Sequence, residues 1–155
     1  MKFSTREDIT APLDQVFNAL SDFETFERQA MRRGIDVRRI DPLTQTGVGM
    51  RWQVNFKLRG RARDMQLELA RFDPEGEMVF QAKSAGIDAE FTVELLALSR
   101  SRTRMAVSLD MTPLNLSARL LVQSLKLAKS NLTSRFKQRA ADYAKTLEER
   151  LQNTA

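Results

Sequence analysis

No cysteine and no histidine occur among the 155 residues, and tryptophan and tyrosine occur once each. The first two absences remove a thiolate nucleophile, an imidazole base and a Cys/His zinc site together. A carboxylate-only site for a hard cation would need Asp, Asn and Gly at loop spacing, and no such run occurs. No cofactor and no metal are therefore expected. Only six glycines and four prolines punctuate the chain, so each turn can be located singly. No apolar stretch reaches the length of a signal core or a membrane span, and a cytoplasmic protein is expected. Nothing resembling a linker, a low-complexity run or an internal repeat divides the chain. Residues 1–155 read as a single domain, long enough to bury a core.

What the chain does have is an uneven charge. The net charge is +5, and its position matters more than its size. From Pro113 onward eight basic residues (Arg119, Lys126, Lys129, Arg135, Lys137, Arg139, Lys145 and Arg150) stand against Asp142, Glu148 and Glu149. Such a run usually marks the solvated back of a helix. The sharper alternative is attraction to an acidic partner, RNA or anionic lipid. With no nucleic-acid motif and no set of exposed stacking aromatics, no specific nucleic-acid partner is expected.

Hydrophobic phase supplies the architecture. Lys2 to Thr10 alternates, with Phe3, Thr5, Glu7 and Ile9 on one side of a strand. Ala11-Pro12 opens a helix with Pro at its first position and the buried stripe Val16, Phe17, Leu20. Ser21 to Glu24 has the spacing of a capping box, which starts a second helix that stops near Gly34. Ile35 to Ile40 is a second strand. Five alternating strands follow between Gly47 and Met111. Reading Arg59-Gly60, Asp73 to Gly76, and Ala85-Gly86 as turns pairs Trp52 with Leu67, Leu69 with Phe80, and Phe80 with Phe91. Apolar meets apolar across all three hairpins, and a slip of one residue would turn charges inward.

Residues 113–151 form the closing helical segment, with Thr112 as cap and Pro113 at the first helical position. Leu121, Leu125, Ala128, Leu132, Phe136, Ala140, Tyr143, Leu147 and Leu151 repeat at spacings of four and three. A continuous helix of that length would span about 60 Å, against about 20 Å for a six-residue strand. A break near its start is expected. Leu114 to Leu127 is apolar on more than one side, which suits a cover over the mouth of the sheet or a contact with a protein partner or second copy.

Certain stretches carry a family likeness: Ile9-Thr10-Ala11-Pro12 with Val16-Phe17, Leu20-Ser21-Asp22-Phe23, Gly47-Val48-Gly49-Met50-Arg51-Trp52, Phe72-Asp73-Pro74, and Thr103 to Leu109. With these, nearly the whole chain resembles the START-like, polyketide cyclase/dehydrase-like (SRPBCC) superfamily. The resemblance implies an α+β helix-grip fold, a strongly curved antiparallel sheet of about seven strands in the order β-α-α-β-β-β-β-β-β-α, wrapped around the C-terminal helix. It also implies a cavity for lipids, sterols, polyketides or other apolar molecules, in proteins that are variously carriers, enzymes and co-chaperones. Fold alone does not choose among these.

The expected ligand-binding wall is Trp52, Val54, Phe56, Arg63, Met65, Leu67, Phe80, Ala82, Phe91 and Met105 from the sheet, with Leu121, Leu125 and Ala128 from the helix. Taken singly, each is more often plain core; as a set facing one helix they suit an apolar pocket. Arg61 and Arg63 point inward in this register, and a guanidinium there would clamp an anionic head on an apolar ligand. Glu7, in phase with Phe3 and Ile9, is the one weak candidate for a catalytic base or for pairing with an arginine; Tyr143 is a distant candidate acid. Three readings remain: a carrier of a small hydrophobic ligand, a cyclase- or dehydrase-type enzyme, and a protein-interaction module.

Overall fold

Arg59 (φ 54°) precedes Gly60 (φ 78°), and Ala85 (φ 41°) precedes Gly86 (φ 81°). Two consecutive positive φ values define the two-residue hairpin turn whose twist matches that of the flanking strands. The structure, a computed structural model, describes residues 1–153. Its elements are β1 (Lys2–Ile9), α1 (Leu13–Leu20), α2 (Phe23–Arg32), β2 (Asp36–Arg39), β3 (Arg51–Leu58) and β4 (Arg61–Asp73), followed by β5 (Glu77–Ser84), β6 (Ile87–Ser99), β7 (Arg102–Pro113), α3 (Leu116–Leu127) and α4 (Lys129–Asn153). The seven strands form one antiparallel sheet in the order β1-β7-β6-β5-β4-β3-β2. This is the α+β helix-grip arrangement.

The registers agree with the turn chemistry. Trp52 pairs with Leu67 and Phe56 with Arg63, Leu69 with Phe80, and Phe80 with Phe91. One irregularity makes this work. The connection from Asp73 is closed by Gly76 N–H donating to Asp73 O (2.9 Å), and it pairs Phe72 with Met78. A bulge at Ala70 then shifts the register by one, so Leu69 and Phe72 both face inward and Arg71 faces out, 3.0 Å from Glu77. Bulges bend a strand as well as re-aim it.

Three helix boundaries differ from the sequence expectation. Pro113 does not open a helix; it ends β7, paired with Ile87. Asn115 caps instead, its Oδ1 accepting from Ala118 N at 2.8 Å, as Asn does better than Thr. Ser21 is not a capping-box residue, because its hydroxyl donates back to Phe17 O (2.7 Å), and Asp22 accepts from Thr25 N and Oγ1. Pro12 is the N-cap of α1 rather than its first residue. The expected break in the closing segment falls at Ala128, between α3 and α4.

The core occupies the α1–α2 end of the concave face. Ile9, Leu69 and Met105 from the strands are buried with Val16, Phe17 and Phe23 from the helices and Ala144 and Leu147 from α4. Thr103, the one buried polar residue among those described, donates its hydroxyl to Ala11 O (2.8 Å). Glu148 Oε1 accepts from Thr10 N (2.5 Å), fixing the far end of α4 to the turn after β1.

Candidate functional site

Helix α4 leans on one side of the sheet. Its chief partners are β1, with Phe3 and Phe136 at 5.9 Å, and α1. The central strands are therefore left partly uncovered, and burial along the concave face is graded. Trp52, Val54, Ala82 and Met105 are buried, whereas Phe56, Met65, Leu67, Phe80 and Phe91 are half-buried although they point inward. All five pack against the core from its edge.

The expected wall thus divides in two. Toward α2, Phe23 stands edge-on to Trp52 (5.5 Å) and to Phe80 (5.8 Å), so Trp52 belongs to a packed aromatic cluster. The less buried part holds Phe56, Arg63 and Met65 beside the β3–β4 hairpin, with Leu67, Phe80 and Phe91 further along the same face. Above it, α3 turns Leu125 to the buried side and leaves Leu121 half-buried, while Ala128 marks the helix break.

The polar groups are few. Arg63 lies opposite Phe56 on the concave side, and its Nε is buried without a hydrogen-bond partner. Arg61 is exposed. Glu7 lies opposite Met105 and is half-buried. The expected pairing of Glu7 with Arg61 or Arg63 is not made among the described residues, because β1 and β4 are separated by three strands. Ser84 bonds across the hairpins to Asp64 O (2.5 Å).

Sequence reasoning missed a groove of about 990 Å³ between α2 and α4. Phe26, Ala30, Ile35 and Tyr143 contribute apolar surface; Arg32, Arg33, Arg135 and Arg139 contribute charge, with Asp142 as the opposing acid. Asp142 is engaged by Gln138 (2.8 Å). Tyr143 packs on Phe26 (5.7 Å), its hydroxyl buried without a partner, and burial pushes its pKa up to about 12. The basic run after Pro113 was visible in the sequence; its convergence with Arg32 and Arg33 needed the helix crossing.

No family model and no curated protein matches the sequence. Solved structures do match. The ZhuI aromatase/cyclase from Streptomyces sp. R1128 superposes with a TM-score of 0.68 at 11% identity, over 97% of this chain and 95% of that one. A protein from Thermus thermophilus gives 0.63 at 20% identity, over 100% and 99%. A START superfamily protein from Mycobacterium smegmatis gives 0.56 at 13%, over 86% and 95%. At such identities the likeness defines the fold. The chain has the START-like (SRPBCC) helix-grip fold, the architecture that the motifs had suggested. No helix among the described residues is long and apolar enough to cross a membrane.

Proposed function

We propose that the protein binds and carries a small apolar molecule with an anionic head, held between the sheet and the C-terminal helices. One observation carries this reading: Phe56, Met65, Leu67 and Phe91 share the inward face of the sheet and are only half-buried, and on that face Arg63, opposite Phe56, has a buried Nε without a hydrogen-bond partner. An unpaired buried donor is costly, and a carboxylate or phosphate on the ligand would satisfy it through charge-assisted bonds. The apolar body would be held by burial at about 25 cal/mol per Å², less the cost of immobilisation. A lipid- or polyketide-like body suits such walls. The names of the structural neighbours, an aromatase/cyclase and a START superfamily protein, are in keeping with it.

The rival is a cyclase- or dehydrase-type enzyme. It draws on Glu7, the one carboxylate that the strands direct to the concave face among the described residues. Native mass spectrometry of protein purified from a bacterial host tests the first reading. A bound mass that organic extraction removes, together with a Trp52 emission change on removal, is the expected result. Protein that is bare as isolated and fails to take up an added fatty acid would overturn it. Turnover of a captured ligand, abolished by Glu7→Gln, would favour the enzyme.

A further inference from the structure

We propose that the α3 end of the molecule docks on an anionic lipid bilayer. Ala118, Val122 and Leu125 of α3 are buried against the fold, whereas Leu116, Leu120 and Leu127 are 72%, 60% and 92% exposed. At about 100° per residue, those three leucines fall within about 40° of one another on the outer face. With the exposed Gln123 between Leu120 and Leu127, they line one face of the helix, and large exposed apolar side chains gathered on one face mark an interaction site.

The ridge is bracketed by positive charge. Arg119 and Lys126 lie along one flank of α3. On the other flank, Arg59 at the tip of the β3–β4 hairpin donates to Ser124 Oγ, which brings the exposed Lys57 and Arg61 of that hairpin to the same end. Residues 113–141 hold six basic residues and no acidic one. An apolar stripe between cationic flanks fits the boundary of headgroups and acyl chains, where apolar burial and attraction to anionic lipid act together.

Other occupants fit less well. A second copy docked by a two-fold axis would press the same cations against themselves. An acidic protein would answer the charge, but a convex ridge of three leucines calls for a matching groove, which a fluid acyl layer does not need to supply. The inference deepens the carrier reading by naming the surface at which ligand is exchanged. It rests on residues outside the concavity, so the two readings can fail separately.

The test is cosedimentation of the full chain with vesicles of phosphatidylcholine alone or with phosphatidylserine added. Sedimentation with the mixed vesicles, little with phosphatidylcholine, and release by high salt are expected. Each charge removal, Arg119→Gln or Lys126→Gln, should weaken partitioning about fivefold. The triple variant Leu116→Ser, Leu120→Ser, Leu127→Ser should lose binding at least tenfold with an unchanged circular dichroism spectrum, since none of the three is buried. Soluble glycerophosphoserine should not compete, because it has no acyl layer; competition would assign the site to a free anion and overturn the proposal. So would unchanged binding by the triple variant, absence of wild-type binding, or loss of binding once the protein is stripped by extraction. A concentration-dependent dimer that the triple variant dissolves would give the ridge to a second copy instead.

Discussion

The rings of Trp52 and Phe80, from strands β3 and β5, lie 6.2 Å apart on the same concave face. Strand β4 runs between them, so the contact exists only if both hairpin registers are right. Phe23, entering from α2, stands edge-on to both rings and lies 6.4 Å from Phe72. It joins the helix pair to the sheet through the aromatic cluster.

Phe23→Ala should therefore loosen the helix pair and the aromatic cluster together. A buried Phe truncated to Ala typically loses about 3 to 5 kcal/mol through transfer and cavity terms. We expect a value near the lower bound, because Phe80 is already half-exposed and can relax. Urea unfolding followed by Trp52 emission measures it, and native emission should also move to the red. A loss below about 1 kcal/mol would mean that the cluster does not hold the helices down.

Two groups set opposite limits of pH. Asp41 accepts from Arg39 Nε (2.5 Å) and Nη2 (2.9 Å), from Arg51 N (2.8 Å) and from Leu43 N (2.9 Å). The Arg39 guanidinium first, and the amide donors after it, hold its carboxyl well below the usual range. A depressed folded pKa gives stability that is present above the unfolded value of about 3.9 and lost as pH falls through the folded one. Asp41→Asn should cost about 2 kcal/mol at neutral pH, with the difference shrinking in acid. Tyr143 acts at the alkaline end, its folded pKa raised to about 12 by burial. Between the unfolded value of about 10 and that value, the unfolded chain ionises first, so stability falls as pH rises. Tyr143→Phe should reduce this alkaline loss without destabilising at neutral pH, since the hydroxyl has no partner. Melting temperatures across the pH range test both, and a Tyr143→Phe curve parallel to wild type above pH 10 would contradict the second.

The hairpin turns give a paired prediction. Gly86 has φ +81°, and a Cβ there would collide with the Asn115 side chain, whereas Gly60 at φ +78° faces open space. Both Gly→Ala changes incur the left-handed strain of about 1 to 2 kcal/mol; only Gly86→Ala also displaces the cap of α3. Gly86→Ala should therefore be the more damaging in thermal melts. Ala85→Gly, at φ 41°, should stabilise by up to about 1 kcal/mol, the relief of strain outweighing the added freedom of the unfolded chain.

These turns also explain what the sequence could reveal. Strand pairing was legible because turn residues and apolar phase are local signals that had to agree at Trp52, Leu67, Phe80 and Phe91. Strict alternation would have sent Arg71 inward and Phe72 outward; no local signal announces the bulge at Ala70 that reverses both. The start of α3 was misplaced because Pro113 suits a helix start and a strand end equally well, and its pairing with Ile87 decided. The lean of α4 onto β1 arises from long-range packing. So does the meeting of Arg32 and Arg33 with Arg135 and Arg139.

Arg63 offers a prediction in which two effects carry opposite signs. Its Nε is buried on the concave face with no partner, so the ligand-free protein bears the cost of desolvating it. Replacing it by leucine removes that cost and adds apolar surface, and Arg63→Leu should stabilise the empty protein by about 1 kcal/mol. The same change removes the donor that an acidic ligand would use. Affinity for a fatty acid should fall at least tenfold, while that for the matching alcohol should stay within about twofold. Calorimetry on stripped protein with both compounds, beside urea unfolding of the two empty proteins, separates these effects. Equal losses for acid and alcohol would show that Arg63 shapes the wall without reading charge. A destabilised empty variant would show that its guanidinium is already satisfied in solution, and the head-group assignment would then have no support.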